Sequence, residues 1–110
     1  MVTISNPTDG SSSDAVMMLV DTGADVSVVL RSVLTYLGLG VTGAPTYEVG
    51  GFGGSSARLP AVQLKVTFLG RVFRGRFLVA DQEYGIIGRN ILNAFRLLLD
   101  GPALTWNEQL

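Results

Sequence analysis

Apolar residues along this chain come in short runs cut by turn-formers, and the runs mostly follow a strand period rather than a helix period. Val62, Leu64, Val66 and Phe68 alternate with Gln63, Lys65 and Thr67, the period-2 pattern of a strand with one wet face. Ala15 to Asp21 is apolar on consecutive positions, which predicts a strand buried on both faces. Met1 to Ser5 reads as a first strand, and the polar stretch NPTDGSSSD, residues 6–14, as a loop turning at Asp9-Gly10. Val26 to Leu30 continues in strand fashion, and Arg31 to Leu37 suits one or two helical turns stopped by Gly38 and Gly40.

Further along, Thr46 to Val49 and Ser56 to Leu59 flank Gly50-Gly51-Phe52-Gly53-Gly54, a hairpin with a pliable tip. Pro60 then punctuates the chain. Gly70-Arg71 connects to a second long strand, Val72 to Ala80, and Ile86-Ile87 forms a short buried one. Arg89 to Phe95 reads as a helix. Leu97 to Leu99, the turn Asp100-Gly101-Pro102 and Ala103 to Trp106 read as a final hairpin. Short strands with regularly spaced turns predict a mostly β domain, barrel-like or sandwich-like.

Length limits this to one domain: 110 residues sits at the usual single-domain size of about 100–150. Composition adds an expectation about assembly. The chain is 47% hydrophobic and 15% charged, with a mean hydropathy of +0.40. A small monomer has little interior in which to hide that excess, so an apolar interface with a second copy is expected. The longest apolar run, Ala15 to Val20, is far short of the roughly 20 residues of a spanning helix. A soluble domain without signal peptide or transmembrane segment is therefore expected, and its cellular location stays open. A formal net charge of −1 argues against a nucleic-acid surface, and the cluster Arg71, Arg74, Arg76 reads as a solvated strand edge.

Absent residue types narrow the chemistry. The chain has no His and no Cys, which removes Ser-His-Asp and Cys-His nucleophilic pairs, the common zinc sites and disulfides. No metal or cofactor is expected. Acid–base chemistry is left to Asp, Glu, Tyr, Lys or the backbone. Asp21 stands out, because a carboxylate ending an apolar strand is costly without a partner or a purpose. Taken alone, Asp21-Thr22-Gly23 suits a turn or a helix N-cap equally well, and the Gly-rich hairpin suits a flexible surface turn.

Three segments occur in order: Asp21-Thr22-Gly23-Ala24-Asp25, Gly50-Gly51-Phe52-Gly53-Gly54, and Ile86-Ile87-Gly88-Arg89-Asn90. This trio, with its surroundings from about Val16 to Trp106, resembles the retropepsin family of aspartic proteases, the retroviral proteases and their cellular and bacterial relatives. The resemblance implies a closed, barrel-like β fold with one short C-terminal helix and a flap hairpin, active as a homodimer on a polypeptide substrate. It implies a catalytic Asp21-Thr22-Gly23, with one Asp21 from each protomer, because the chain holds a single such triplet. It also implies that Asp25 pairs with Arg89 and that these two, with Asn90, support the active-site loop. Tyr47 to Leu59 corresponds to the flap, with the Phe52 amide as the tip contact to substrate. By position relative to the motifs, Leu19, Ala24, Asp25, Val26, Val28, Val49, Gly50, Gly51, Phe52, Tyr84 and Ile86 would meet substrate, and their apolar majority implies a preference for apolar residues around the scissile bond.

The loop 6–14 and the segment from Phe95 onward depart from the short retroviral C-terminal strand, and Val26 stands where some viral enzymes carry an acid. Two other readings stay open at this point. One is a catalytically silent retropepsin fold serving as a dimerisation or peptide-binding module. The other is a phosphotransferase with Asp21 as nucleophile, although no Asp lies two residues beyond it to help hold magnesium.

Overall fold

The long strands form because their alternation buries one face. In the computed structural model, which describes residues 2–50 and 52–109, Ser56–Phe68 (β6) and Arg71–Ala80 (β7) make an antiparallel ladder running from Phe68↔Arg71 to Ala61↔Leu78. Leu64, Val66 and Phe68 from β6 and Phe77 and Val79 from β7 are buried in one cluster with Val2, Ile4, Leu34, Ile87 and Ile91. Gly70, at φ 78°, closes the tight β6–β7 turn in a backbone region that L-residues rarely enter.

Around this ladder the remaining strands assemble an eight-stranded sheet. They are Val2–Ser5 (β1), Ser12–Val16 (β2), Met18–Val20 (β3), Val28–Leu30 (β4), Thr46–Gly50 (β5) and Gly85–Ile87 (β8). Their order is β2-β1-β6-β7-β4-β8-β3, with β5 paired to β6 off that path. The domain is mostly β and curls into a half-barrel. The closed barrel expected from the resemblance is not formed, since β2 and β3 lie at the two ends of the pairing order. Two short helices, Arg31–Tyr36 (α1) and Arg89–Leu92 (α2), place Leu34, Ile91 and Leu92 against the core. Leu97–Asp100 (β9) and Thr105–Glu108 (β10) form a separate hairpin that leans on the core through Leu97 and Trp106. Among the described residues no helix is long and apolar enough to cross a membrane.

Several elements differ from their sequence signals, each for a physical reason. The expected strand Ala15 to Asp21 is broken at Met17, which is 64% exposed: β2 pairs with β1 and β3 runs parallel to β8. As the two terminal strands of the sheet, they are not buried on both faces, and Leu19 is half exposed. β2 begins at Ser12, inside the stretch read as loop, because Ser5↔Ser12 pairing extends the β1 hairpin. Its turn is held by Asp9 Oδ1, which accepts from the Ser11 N–H at 2.8 Å and the Ser11 hydroxyl at 2.7 Å. These bonds, the backbone one first, hold the Asp9 carboxyl below its ordinary range.

Strand β4 starts at Val28 rather than Val26. Pro60 does not interrupt β6. It sits at the hairpin root opposite Thr46, and the ladder resumes at once as the Ala61 N–H donates to the Pro45 carbonyl at 2.9 Å. Helix α2 ends at Leu92, not Phe95, because Phe95 turns inward to meet Phe68 edge-on at 5.4 Å and Phe73 at 6.0 Å. The last strand falls at Thr105–Glu108, two residues later than the pattern suggested.

Truncating Leu64, which is fully buried, to Ala should cost about 2–5 kcal/mol, whereas Val72→Ala on the exposed face should change stability by less than about 1 kcal/mol. Urea unfolding midpoints of the two variants check this contrast.

Candidate active site

Asp21 follows β3 directly, and its position depends on β8. Parallel pairing sets Val20 beside Ile87, and the Asp21 N–H continues the ladder by donating to the Ile87 carbonyl at 3.0 Å. Beyond this point the chain turns. The Gly23 N–H donates to Asp21 Oδ1 at 2.9 Å and the Ala24 N–H to the Asp21 carbonyl at 3.2 Å. The Asp21 side chain therefore accepts a bond from its own turn, as Asp does in Asx-turns, while the residue stays exposed to the cleft.

The far side of the loop is laid against the start of α2. The Arg89 N–H donates to the Ala24 carbonyl at 2.8 Å and the Asn90 N–H to the Asp25 carbonyl at 3.3 Å. The buried Ser27 hydroxyl accepts from the Gly88 N–H at 2.9 Å and donates to Asn90 Oδ1 at 2.7 Å. Gly88 is required by this contact. A Cβ there would lie 2.4 Å from the Val26 carbonyl oxygen and 3.0 Å from that of Ala24, and both are backbone atoms that cannot swing away.

Arg89 Nη2 also meets Asp25 Oδ1, but the two side chains are 49% and 78% exposed. A solvated pair of this kind contributes little, commonly about 0–1 kcal/mol. The Asp25 and Arg89 side chains meet, and beside that exposed contact the backbone bonds and the Ser27–Asn90–Gly88 network hold the loop. Ser27 is 2% exposed, and the sequence reading missed it. Its available signal is a lone hydroxyl inside the apolar run Val26-Ser27-Val28.

Asp21 opens into a cleft of about 930 Å³ that runs between the loop and the β5–β6 hairpin. Of the residues expected to meet substrate, Ala24, Asp25, Val26, Val28, Val49, Gly50 and Ile86 line it, together with Asp21 and Gly23. Leu19, Thr22 and Tyr84 do not. Leu19 is half exposed on the terminal strand β3, and Tyr84 lies in the exposed turn before β8. Gly51 falls outside the described residues, and Phe52 is described in backbone only, opening a 3-10 turn, Phe52–Gly54, at the hairpin tip. The cleft also takes Ser27, Tyr47, Glu48, Ala61, Arg76, Leu78 and Asn90. Tyr47, Glu48, Ala61, Arg76 and Leu78 were not expected to meet substrate, because the β5–β6 and β6–β7 registers that bring them together are tertiary properties. Val28, Ala61, Leu78 and Ala80 form a second apolar cluster, with Val49, Leu59 and Ile86 packed on it. Among the described residues no group of acids could hold a metal ion.

In stability, Gly88→Ala should be the most damaging change at this site, Ser27→Ala should cost about 1–3 kcal/mol by stranding the Gly88 N–H, and Asp25→Asn should cost less than about 1 kcal/mol. Denaturant titration of the three purified variants tests that order.

The arrangement agrees with two comparisons. A family model described as aspartyl protease matches residues 3–91, which takes in the loop, the hairpin and the β8–α2 segment. Among solved structures, the chain is similar to EIAV protease complexed with the inhibitor HBY-793, at 32% sequence identity and a TM-score of 0.51, over 70% of this chain and 73% of that one. A shared sequence pattern, a shared fold and an acid held on the lining of a cleft coincide: the chain belongs to the retropepsin-like aspartyl protease family.

Proposed function

We propose that this chain is an endopeptidase whose active site forms on the two-fold axis of a homodimer, with Asp21 of each protomer supplying one carboxyl. The observation that carries the reading is the exposed Asp21 carboxylate, held by its own turn on the lining of a largely apolar cleft, in a chain with one Asp-Thr-Gly and no His or Cys. A lone carboxylate is a weak base for activating water against an amide. Two brought close cannot both ionise, so they share a proton, and the pair titrates as a unit. The ionised member takes a proton from water while the water oxygen attacks the scissile carbonyl carbon, and the protonated member gives its proton to the carbonyl oxygen. Collapse of the tetrahedral adduct breaks the C–N bond: the departing nitrogen takes the proton that the first carboxyl gained from water, and a hydroxyl of the adduct returns a proton to the other carboxylate, restoring the singly protonated pair.

Features of the protomer support the dimer. The Thr22 residue is exposed and its hydroxyl makes no hydrogen bond within the described residues, leaving it free to bond across the axis. Leu98, Leu99 and Leu104 of the C-terminal hairpin are 54%, 64% and 92% exposed, an apolar surface that a second copy would cover. The β5–β6 hairpin serves as the flap. Gly53 and Gly54 at its tip have φ values of 79° and 82°, conformations that glycine takes without penalty, and the tip offers main-chain groups with which an extended substrate can pair. Val28, Val49, Leu78 and Ile86 on the cleft wall favour apolar side chains flanking the scissile bond.

Asp21→Asn should abolish peptide hydrolysis while circular dichroism and sedimentation stay unchanged; undiminished cleavage by that variant would overturn the catalytic assignment. Specific activity of the wild type should fall on dilution as the dimer dissociates. Activity that is independent of concentration in a demonstrated monomer would remove the shared dyad. A dimer that binds peptides but cleaves none would favour the catalytically silent reading.

A further inference from the structure

The two faces of the β6–β7 ladder have different occupants. Phe73, Phe77 and Val79 of β7 turn to the main core and Leu78 and Ala80 to the cleft cluster, so alternation puts Arg74 and Arg76 on the cleft face. On β6 the same rule groups Ala61, Gln63 and Lys65, and the register sets Ala61 opposite Leu78, Gln63 opposite Arg76 and Lys65 opposite Arg74. The apolar floor of the cleft thus continues into Arg76, which lines it, and on the same face beyond the cleft's lining into Gln63, Arg74 and Lys65, together a basic stripe.

The electrostatics of that stripe are unresolved within the protomer. Arg31 meets Asp81 at 3.2 Å, Arg89 meets Asp25, and Arg71 donates to the Ala94 carbonyl at 3.2 Å and lies over the Phe95 ring. Lys65, Arg74 and Arg76 have no acidic partner among the described residues. Lys65 and Arg74 are directly opposed like charges, an arrangement that costs stability. Arg76 gives one bond to the Tyr47 hydroxyl at 3.3 Å, which holds its guanidinium between β7 and the hairpin with other donors free. Of the acids near the cleft, Asp25 is engaged by Arg89. Glu48 also lines the cleft and stands opposite Arg58 in the hairpin register, but it makes no ion pair with Arg76.

We infer that Arg76, backed by Arg74 and Lys65, is a specificity-determining residue that receives an acidic side chain of the substrate polypeptide, outward of the apolar residues around the scissile bond. The inference rests on the endopeptidase reading above. Arg76 lies two residues along β7 from Leu78, about 6.6 Å at roughly 3.3 Å per residue. An extended substrate therefore reaches it about two residues beyond the side chain seated over Leu78 and Val28. The two-fold axis repeats the stripe at the other end of the cleft, so acidic residues are favoured on both sides of the cut.

The test uses the full chain and three fluorogenic peptides that share apolar residues around the scissile bond and carry Glu, Gln or Lys at the outer positions, assayed above pH 5 so that Glu is ionised. Wild type should cleave the Glu peptide with a kcat/KM about fivefold above the Gln peptide, near the upper limit for an exposed charge pair, and the Lys peptide least. The difference should lie in KM and shrink as salt rises. Arg76→Glu should invert the order, placing Lys above Glu. Equal kcat/KM on Glu and Gln peptides, or an order that survives Arg76→Glu, overturns the inference and leaves the protease reading intact. Failure of the dimer to cleave any of the three peptides, with an unbiased peptide mixture also left uncut, overturns the protease reading itself.

Discussion

Everything at the site depends on one close crossing of two backbone segments, the Asp21–Ser27 loop against Ile87–Asn90. The carbonyls of Ala24 and Asp25 accept from Arg89 and Asn90, the Ser27 hydroxyl bridges Gly88 to Asn90, and the missing side chain at Gly88 allows the approach. Main-chain bonds of this kind keep their geometry in water better than long charged side chains do, because little rotamer entropy is lost in forming them. That explains how a turn of exposed residues can hold a carboxylate in a fixed direction. The Asp25–Arg89 contact sits on top of this frame and does not create it.

The same sheet then divides the molecule's labour by parity. Odd positions of β7 and even positions of β6 fill the hydrophobic core, while the opposite parity floors the cleft and extends into Gln63, Lys65, Arg74 and Arg76. A domain of 110 residues has room for little more than one sheet with two short helices. It therefore leaves the second face of its core sheet to floor the cleft rather than adding a layer to bury it. The cost is visible in the leucines left outside on the last hairpin.

Local patterns made the long strands legible. The alternation from Val62 to Phe68 and the run ending at Ala80 announced β6 and β7, and the Gly-rich segment announced the hairpin between Thr46 and Leu59. The Asp-Thr-Gly and Ile-Ile-Gly-Arg-Asn segments located the loop and its support. What local pattern could not carry was partnership. Ala15 to Val20 is uniformly apolar, yet its two halves pair with strands toward opposite ends of the sheet, and only those distant partners explain the break at Met17. Tyr47, Leu78 and Arg76 converge through register alone, and Ser27 is polar for a contact made 63 residues away. Leu19 and Tyr84 were placed by their distance from a motif, and neither lines the cleft of the single protomer.

The continuity of β6 has a mechanical consequence. One strand, 13 residues long, serves both the mobile-looking hairpin and the packed core, and its root carries Pro45 and Pro60, whose rings fix φ, with Ala61 bonded straight across to Pro45. The hairpin is a cantilever clamped at a rigid wall. Deflection of such a beam grows with distance from the clamp, and the glycines with positive φ lie at the free end. Compliance is therefore concentrated at the tip and filtered out before it reaches Leu64 and Val66, so the hairpin can bend without working the interior that keeps the domain folded.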